Sequence, residues 1–445
     1  MTGARETALY ALERCRRGGA WSDSVLDGLI KEASLSVRDA ALCRRLCYGV
    51  QQNIILLDHY IDSYSRTPSR KLEPKLLDIL RLSAYQLLFM DKIPPSAAVY
   101  EGVNLCRKNS LDRAVGLCNA VLRRISENLD SLPEIPGNGT AEYLSVKYSH
   151  PLWMVREFIS VLGYSGTEAL LVSNNAVPDI TLQVNTLKIS ASELQNKLTA
   201  YGAQAESHPW LRNCIVIKNS GNISELPGFA EGEFYVQDAA ARLAVTAAEL
   251  KPGMRVLDAC SAPGGKSFAA AVDMANTGDI LSCDIHKNKL SRVSSGAARM
   301  DFSCISTRVM DARQPSSGMS GSFDVVLAEV PCSGLGVIRK KPDIRYKSEK
   351  ELNNLPAVQL NILHGLASCV APGGLLLYST CTVRDKENIG TVASFLSAHP
   401  DFSPEPFSFP EASGAHVTDG MVTLWPHLSG TDGFYICRMR RKKQI

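Results

Sequence analysis

Apolar residues recur at every third or fourth position through the first 130 residues, as in Leu9 and Leu12, then Leu26, Leu29 and Ile30, then Leu76, Leu77, Ile79, Leu80 and Leu82. That spacing lines one face of a helix, and no alternating stretch interrupts it, so residues 1–130 predict an all-helical domain. Gly18-Gly19, Thr67-Pro68 and Pro94-Pro95 divide it into helices of ordinary length. The segment Leu132–Thr140 (LPEIPGNGT) then holds two prolines and two glycines, which mark a linker and a first domain boundary.

The pattern shortens over residues 141–235. Helical periodicity covers Leu152–Leu162, Ile180–Asn185 alternates as a strand, Ser190–Tyr201 is helical again, and Cys214–Lys218 alternates. This predicts a small α/β linking subdomain. From residue 236 to 445 strands and helices alternate regularly, with strands at Arg255–Asp258, Ile280–Asp284, Ile305–Met310, Asp324–Ala328 and Leu375–Ser379. Such a rhythm is that of a doubly wound, Rossmann-like parallel sheet.

Composition agrees with a multidomain globular chain. Its 445 residues are 45% hydrophobic and 21% charged, which excludes wholesale disorder. No apolar run approaches the ~20 residues that cross a bilayer. Glu6, Glu13 and several arginines interrupt the N-terminal stretch, unlike a secretory signal. Thirteen irregularly spaced cysteines fit free thiols in a reducing cytoplasm. Cys43 and Cys47 stand at helical spacing with no second Cys/His pair nearby, so packing rather than metal is expected of them. Net charge is only +3, and the mild excess of basic residues lies in the first domain. A basic face there suits nucleic acid or simply a solvated surface.

Strand Arg255–Asp258 runs directly into Ala259-Cys-Ser-Ala-Pro-Gly-Gly-Lys266, ahead of a helix. A glycine turn between strand and helix N-terminus presents backbone N–H groups to a nucleotide-like ligand. The dinucleotide fingerprint is absent. Gly265-Lys266-Ser267 nearly completes a P-loop, but Cys260 stands where its first glycine belongs and Pro263 stiffens the turn. S-adenosylmethionine is a third ligand, with Asp284 placed for ribose hydroxyls and Asp311 beside an adenine amino group. A turn that holds no ligand is also compatible with the glycines.

Two further strands end in cysteine-bearing loops, Glu329-Val-Pro-Cys332-Ser-Gly and Thr380-Cys381-Thr382. In parallel sheets the carboxyl ends of strands face the ligand, so both thiols fall on the side of the glycine turn. A lone cysteine is ordinarily a small buried apolar group. A pair at two strand ends fits methylation of a pyrimidine. C5 of that ring is a poor nucleophile until a thiolate adds to C6, and the step needs a carboxyl near N3 and a base for the C5 proton.

Cys260-Ser-Ala-Pro-Gly-Gly-Lys266, the run Pro331–Arg345 (PCSGLGVIRKKPDIR) and Tyr378-Ser-Thr-Cys381 closely resemble the RNA cytosine-5 methyltransferases of the RsmB/Sun/NSUN superfamily. Residues 1–130 look like a NusB-type RNA-binding domain, which points to the RsmB/Sun branch, the 16S rRNA (cytosine-5) methyltransferases. Ser149–Trp153 and Phe234–Asp238 are also similar to that family. The resemblance spans essentially the whole chain. It implies a NusB-like domain at 1–130, an RRM-like linking subdomain at 141–235 and a class I methyltransferase domain at 236–445. S-adenosylmethionine would lie against Cys260, Ser261, Ala262, Pro263, Gly264, Gly265, Lys266, Asp284, Asp311 and Glu329. Cys381 would attack C6, Cys332 would assist release of the methylated base, and Glu329 would supply the carboxyl. The implied partner is naked or early-assembled 16S rRNA, met by a monomer without metal or membrane.

The family usually has Asp-Ala before Pro-Cys, where this chain has Glu329-Val330. The added methylene re-aims the carboxyl. A decayed site on a non-catalytic RNA-binding or assembly protein is therefore the competing reading. DNA cytosine methylation is a third, since in those enzymes the Pro-Cys thiol is the nucleophile. Arg339, Lys340, Lys341 and Arg345 suit phosphates, though such a run is more often a solvated surface, and Arg438–Lys443 can touch RNA but is expected to be a frayed basic tail.

Overall fold

The computed structural model describes residues 3–18, 22–218 and 221–443. The chain divides into two compact units, one of Met1–Ala176 with Ile338–Lys347, the other of Val177–Val337 with Ser348–Ile445.

The first unit is helical, with long helices at Ala4–Gly18, Val37–Tyr64, Pro74–Phe89, Pro95–Lys108, Val115–Glu127 and Leu152–Asn175. The three-four periodicity turns Leu9, Leu46, Leu57, Ile79, Leu82, Leu122 and Ile125 into one apolar core. Cys43 and Cys47 belong to that core and are fully buried. The expected break at Gly18-Gly19 reaches outside the described residues. Thr67-Pro68 and Pro94-Pro95 do separate helices, and Pro74 and Pro95 each occupy a first helical position, where the missing N–H has no bond to lose.

Two sheets make the second unit. Strands β1 (Ile180–Val184), β2 (Gln204–Ser207), β3 (Cys214–Lys218) and β4 (Phe234–Val236) form an antiparallel sheet in the order β2-β3-β1-β4. Helix Ala191–Ala200 packs on it behind a Ser190–Glu193 capping box. The sequence pattern foresees β1, β3 and this helix. It misses β2 and β4, which are too short for an alternation to register.

The larger sheet contains β5 (Arg255–Asp258), β6 (Asp279–Asp284), β7 (Ile305–Val309), β8 (Phe323–Glu329), β9 (Val370–Thr380), β10 (Phe402–Pro404), β11 (Met421–Leu424) and β12 (Phe434–Arg441). Its order is β10-β12-β9-β8-β5-β6-β7, with β11 also on β12. The members β7, β6, β5, β8 and β9 run parallel, as the alternating rhythm predicts. Strand β12 is antiparallel to β9, so the sheet is mixed.

That edge overturns one expectation. Residues Arg438–Arg441 are not a frayed tail but part of β12. Arg438 is 4% exposed and pairs with Glu249 and Glu405, Arg440 pairs with Glu405, and Arg441 pairs with Asp401. Basic residues in a row suggest solvent, but each of these finds a carboxylate on a neighbouring segment.

From β5 the chain moves outward through β6 and β7, then returns to the other side of β5 as β8. This reversal opens a crevice at the carboxyl ends of β5 and β8, the position where open α/β sheets bind ligands. Among the described residues no helix is long and apolar enough to cross a membrane.

Candidate active site

Asp258 ends β5, and the turn after it is stitched to both neighbouring strands. Ala259 N donates to Leu327 O at 3.0 Å and Ser261 N to Cys283 O at 2.7 Å. Gly264 takes φ +113°, and a Cβ there would stand 2.5 Å from the Phe268 ring. Only glycine meets both conditions. Helix Gly265–Asp273 starts immediately, so its first N–H groups face the crevice.

The walls of this turn are polar and buried. Ser267 Oγ donates to Asp258 Oδ2 at 2.7 Å and lies 2.7 Å from Ser282 Oγ. Asp258 Oδ1, Ser261 Oγ and Gln237 Oε1 are buried without a hydrogen-bond partner. Three orphaned acceptors around a glycine turn suit a polar ligand. Burial pushes the Asp258 carboxyl up to about 6, with Glu329 and Asp284 adding to it and Ser267 and Lys266 opposing. Neither Asp258 nor Gln237 stands out in the sequence as a site residue. The signal available for Asp258 was its place as the last strand residue before the turn.

The other expected cofactor residues stand at or just after the carboxyl ends of the parallel strands. Asp284 closes β6, 9% exposed, and its Oδ1 accepts from His286 N at 2.8 Å. Asp311 is held by its near neighbour, since the Arg313 guanidinium bonds both carboxylate oxygens and keeps the acid below its usual range. The Cys260 thiol is pushed well up by burial and by the Asp258, Asp284 and Glu329 carboxylates, so it lines the turn as a neutral group.

Lys266, in the first turn of that helix, is 4% exposed and pairs with Glu329 at the end of β8. Its ammonium also lies 4.9 Å from the Phe434 ring centroid. The longer glutamate arm thus reaches the lysine of the glycine turn. One ion pair joins the ligand-facing turn to the loop that carries Cys332.

Cys332 Sγ and Cys381 Sγ are 3.3 Å apart. They come together because β8 and β9 are adjacent and parallel, with Glu329 opposite Ser379. Gly336 N donates to Cys381 O at 3.0 Å, and Gly433 N to Gly336 O at 2.8 Å, packing three loops. A Cβ on Gly336 would sit 1.9 Å from the Gly433 carbonyl oxygen. The Cys332 thiol is held well above its ordinary value, first by its hydrogen bond to Cys381, then by burial and the nearby Glu387 carboxylate. The proton therefore stays on Cys332.

Not every expected basic residue faces a ligand. Arg345 belongs to the helical unit, where it is fully buried and donates to Gln52 O, Ser149 O and Asn175 Oδ1 at 2.9–3.1 Å. Only Nη1 makes these bonds, while Nε and Nη2 are buried without a hydrogen-bond partner, so the side chain is packed inside the helical unit rather than on a solvated basic face.

Residues 245–440 match the family described as 16S rRNA methyltransferase RsmB/F, residues 2–127 the NusB family, and residues 150–224 the RsmF/B-like ferredoxin-like domain. The glycine turn, the paired thiols and the helical domain thus fall within a class of RNA-modifying methyltransferases. Among curated relatives, the probable ribosomal RNA small subunit methyltransferase B of Bacillus subtilis is 36% identical, over 99% of both chains. Its counterpart in Yersinia pseudotuberculosis is 30% identical over 98% of both. A solved structure, that of PH0851, superposes with a TM-score of 0.82 at 26% identity over 98% of each chain. NSun6 from Pyrococcus horikoshii, solved with SFG, shares the fold at a TM-score of 0.58 and 20% identity, over 65% of this chain and 97% of that one. The chain belongs to the RsmB family of ribosomal RNA small subunit methyltransferases.

Proposed function

We propose that this chain methylates C5 of a cytosine in 16S rRNA through a covalent bond between Cys381 and C6. S-adenosylmethionine is the methyl donor, and when bound it supplies an electrophilic methyl group on a sulfonium. The single observation that carries the proposal is the pair of sulfurs 3.3 Å apart at adjacent strand ends, beside a glycine turn ringed by orphaned acceptors.

The residues divide the work as follows. The 260–266 turn, Asp258, Gln237, Asp284 and Asp311 hold the donor. Cys381 adds its lone pair to C6, the C5=C6 pair moves toward C5, and C5 then takes the methyl group as the methyl C–S bond of the sulfonium breaks and leaves its electron pair on that sulfur. Glu329, oriented by Lys266, sits where a carboxyl can face the ring edge. Release needs a base, such as a water molecule, to take the C5 proton. Its electron pair re-forms C5=C6 while the C6–Sγ bond breaks and returns a thiolate to Cys381. Cys332, against that sulfur, assists this last step. A cytosine stacked in a helix cannot reach Cys381, so the substrate is an unpaired or flipped nucleotide.

The test is a denaturing gel of radiolabelled 16S rRNA incubated with protein and S-adenosylmethionine. Cys381→Ser should give neither methylation nor adduct, because a hydroxyl is a far weaker nucleophile than a thiol near neutral pH. Cys332→Ser should accumulate a slow-migrating protein–RNA band. The reverse pattern assigns the nucleophile to Cys332, as in DNA enzymes. RNA binding without methylation or adduct in the unaltered protein would favour a non-catalytic role.

A further inference from the structure

The two catalytic loops are held by side chains that contribute nothing to the reaction just described. Glu387, fully buried, lies seven residues from the start of the Cys381 loop and reaches the other loop. Its Oε2 accepts from Ser333 N, the amide next to Cys332, at 2.8 Å. The same oxygen accepts from Gln359 Nε2 at 2.9 Å, and that amide nitrogen also donates to Pro331 O at 3.0 Å. Gln359 is likewise fully buried, on helix Leu355–Ala367. The backbone on both sides of Cys332 is therefore fixed by one carboxylate and one amide.

The segment bearing Glu387 is itself tied to the Cys381 strand. Tyr378 OH donates to Glu387 O at 2.6 Å, Thr380 Oγ1 donates to Asn388 Oδ1 at 2.7 Å, and Asn388 Nδ2 donates to Thr382 O at 3.0 Å. A further bridge joins Ser333 Oγ and Thr382 Oγ1 at 2.7 Å. Arg384, also buried, stands 3.6 Å from Glu387 Oε1 and balances its charge.

We infer that Glu387 and Gln359 are positioning residues, a clamp that sets the distance and direction of the Cys332 sulfur relative to Cys381 and so governs release of the methylated base. The inference rests on the two-cysteine reading proposed above. Burying a carboxylate with no ligand to hold costs stability unless its bonds matter. Here the bonds converge on the peptide groups flanking one reactive thiol. Misplacing a reacting group by about 1 Å costs about a hundredfold in rate.

Two measurements test the clamp on the full chain. The first is the rate at which diamide joins Cys332 and Cys381, a reaction in which both S–H bonds break, the S–S bond forms, and the diazene takes up two hydrogens to become a hydrazine. The second is the gel assay, with S-adenosylmethionine affinity by calorimetry. Gln359→Ala, which removes two donated bonds and leaves the Arg384–Glu387 pair, should slow disulfide formation and lower kcat by about 10–100-fold. KM and cofactor affinity should stay unchanged, and adduct should accumulate as in Cys332→Ser. Glu387→Ala should behave alike, and Glu387→Gln should recover release in part, since its amide oxygen can still accept from Ser333 N. Unchanged disulfide and release rates in folded Gln359→Ala would overturn the clamp. Loss of adduct in Cys332→Ser itself would instead overturn the two-cysteine reading.

Discussion

At the scale of single residues, burial changes what each acid and thiol can do. Asp258 is the clearest case, fully buried with its carboxyl raised from 3.8 to about 6. Between those values the folded protein keeps a proton that the unfolded chain has lost, so its stability falls as pH rises through that window. Above it the ionised, buried carboxylate is a fixed penalty. In Asp258→Asn this dependence disappears. The stability difference between variant and parent, from urea midpoints at pH 4 and pH 7, should therefore move in the variant's favour by about 1–3 kcal/mol. A difference that does not change with pH would mean that Asp258 titrates normally. Glu329 differs because Lys266 holds it in an ion pair. Glu329→Gln keeps the size, loses the charge, and should lose most methylation. Full activity by methyl incorporation would make Glu329 a bystander.

At the scale of elements, the last strand matters more than its composition suggests. Strand β12 lies between β9 and β10, pairs with β11 as well, and brings Phe434, Ile436, Cys437 and Met439 into the core. A chain ending at Gly433 should lose cooperative unfolding of the second unit, because β9, which leads into Cys381, would become an exposed hydrophobic edge. Circular dichroism melts and solubility check this. A normal melt would show that β9 is stable without its partner. The same element shows why pattern reading fails at basic runs. Arg438, Arg440 and Arg441 look solvated until Glu249, Asp401 and Glu405 are brought beside them from distant positions.

At the scale of the whole molecule, the chain crosses its own boundaries. Residues Ile338–Lys347 follow the Cys332 loop in sequence yet are part of the helical unit. There Arg345 supplies donors to Gln52 O and Ser149 O, and Tyr346 OH lies 3.5 Å from Ser149 Oγ. A fragment of residues 3–176 leaves those buried carbonyls without their donor, at about 1–3 kcal/mol each. Adding a peptide of residues 338–347 should raise the melting temperature of the fragment, and an Arg345→Ala peptide should not. Equal melts with and without peptide would show that the segment is a passenger.

Much of this architecture was legible in the residues. The three-four spacing of leucines gave the helical unit, and the α/β alternation placed β5, β6, β7, β8 and β9 to within one or two residues except at the long β9. The glycine turn and both cysteine loops were visible as local signals. These features are local, because helix periodicity, strand alternation and turn chemistry depend on residues close in sequence. Tertiary structure alone decided the rest. It set the 3.3 Å between two sulfurs 49 residues apart, the Lys266–Glu329 pair, the hydrogen bonds of Gln359 and Glu387 to the Cys332 loop, the unpartnered buried oxygens of Asp258 and Gln237, and the burial of Arg345. Each joins groups that no short window of sequence contains, and each takes its meaning from desolvation and from partners that only the folded chain brings within reach.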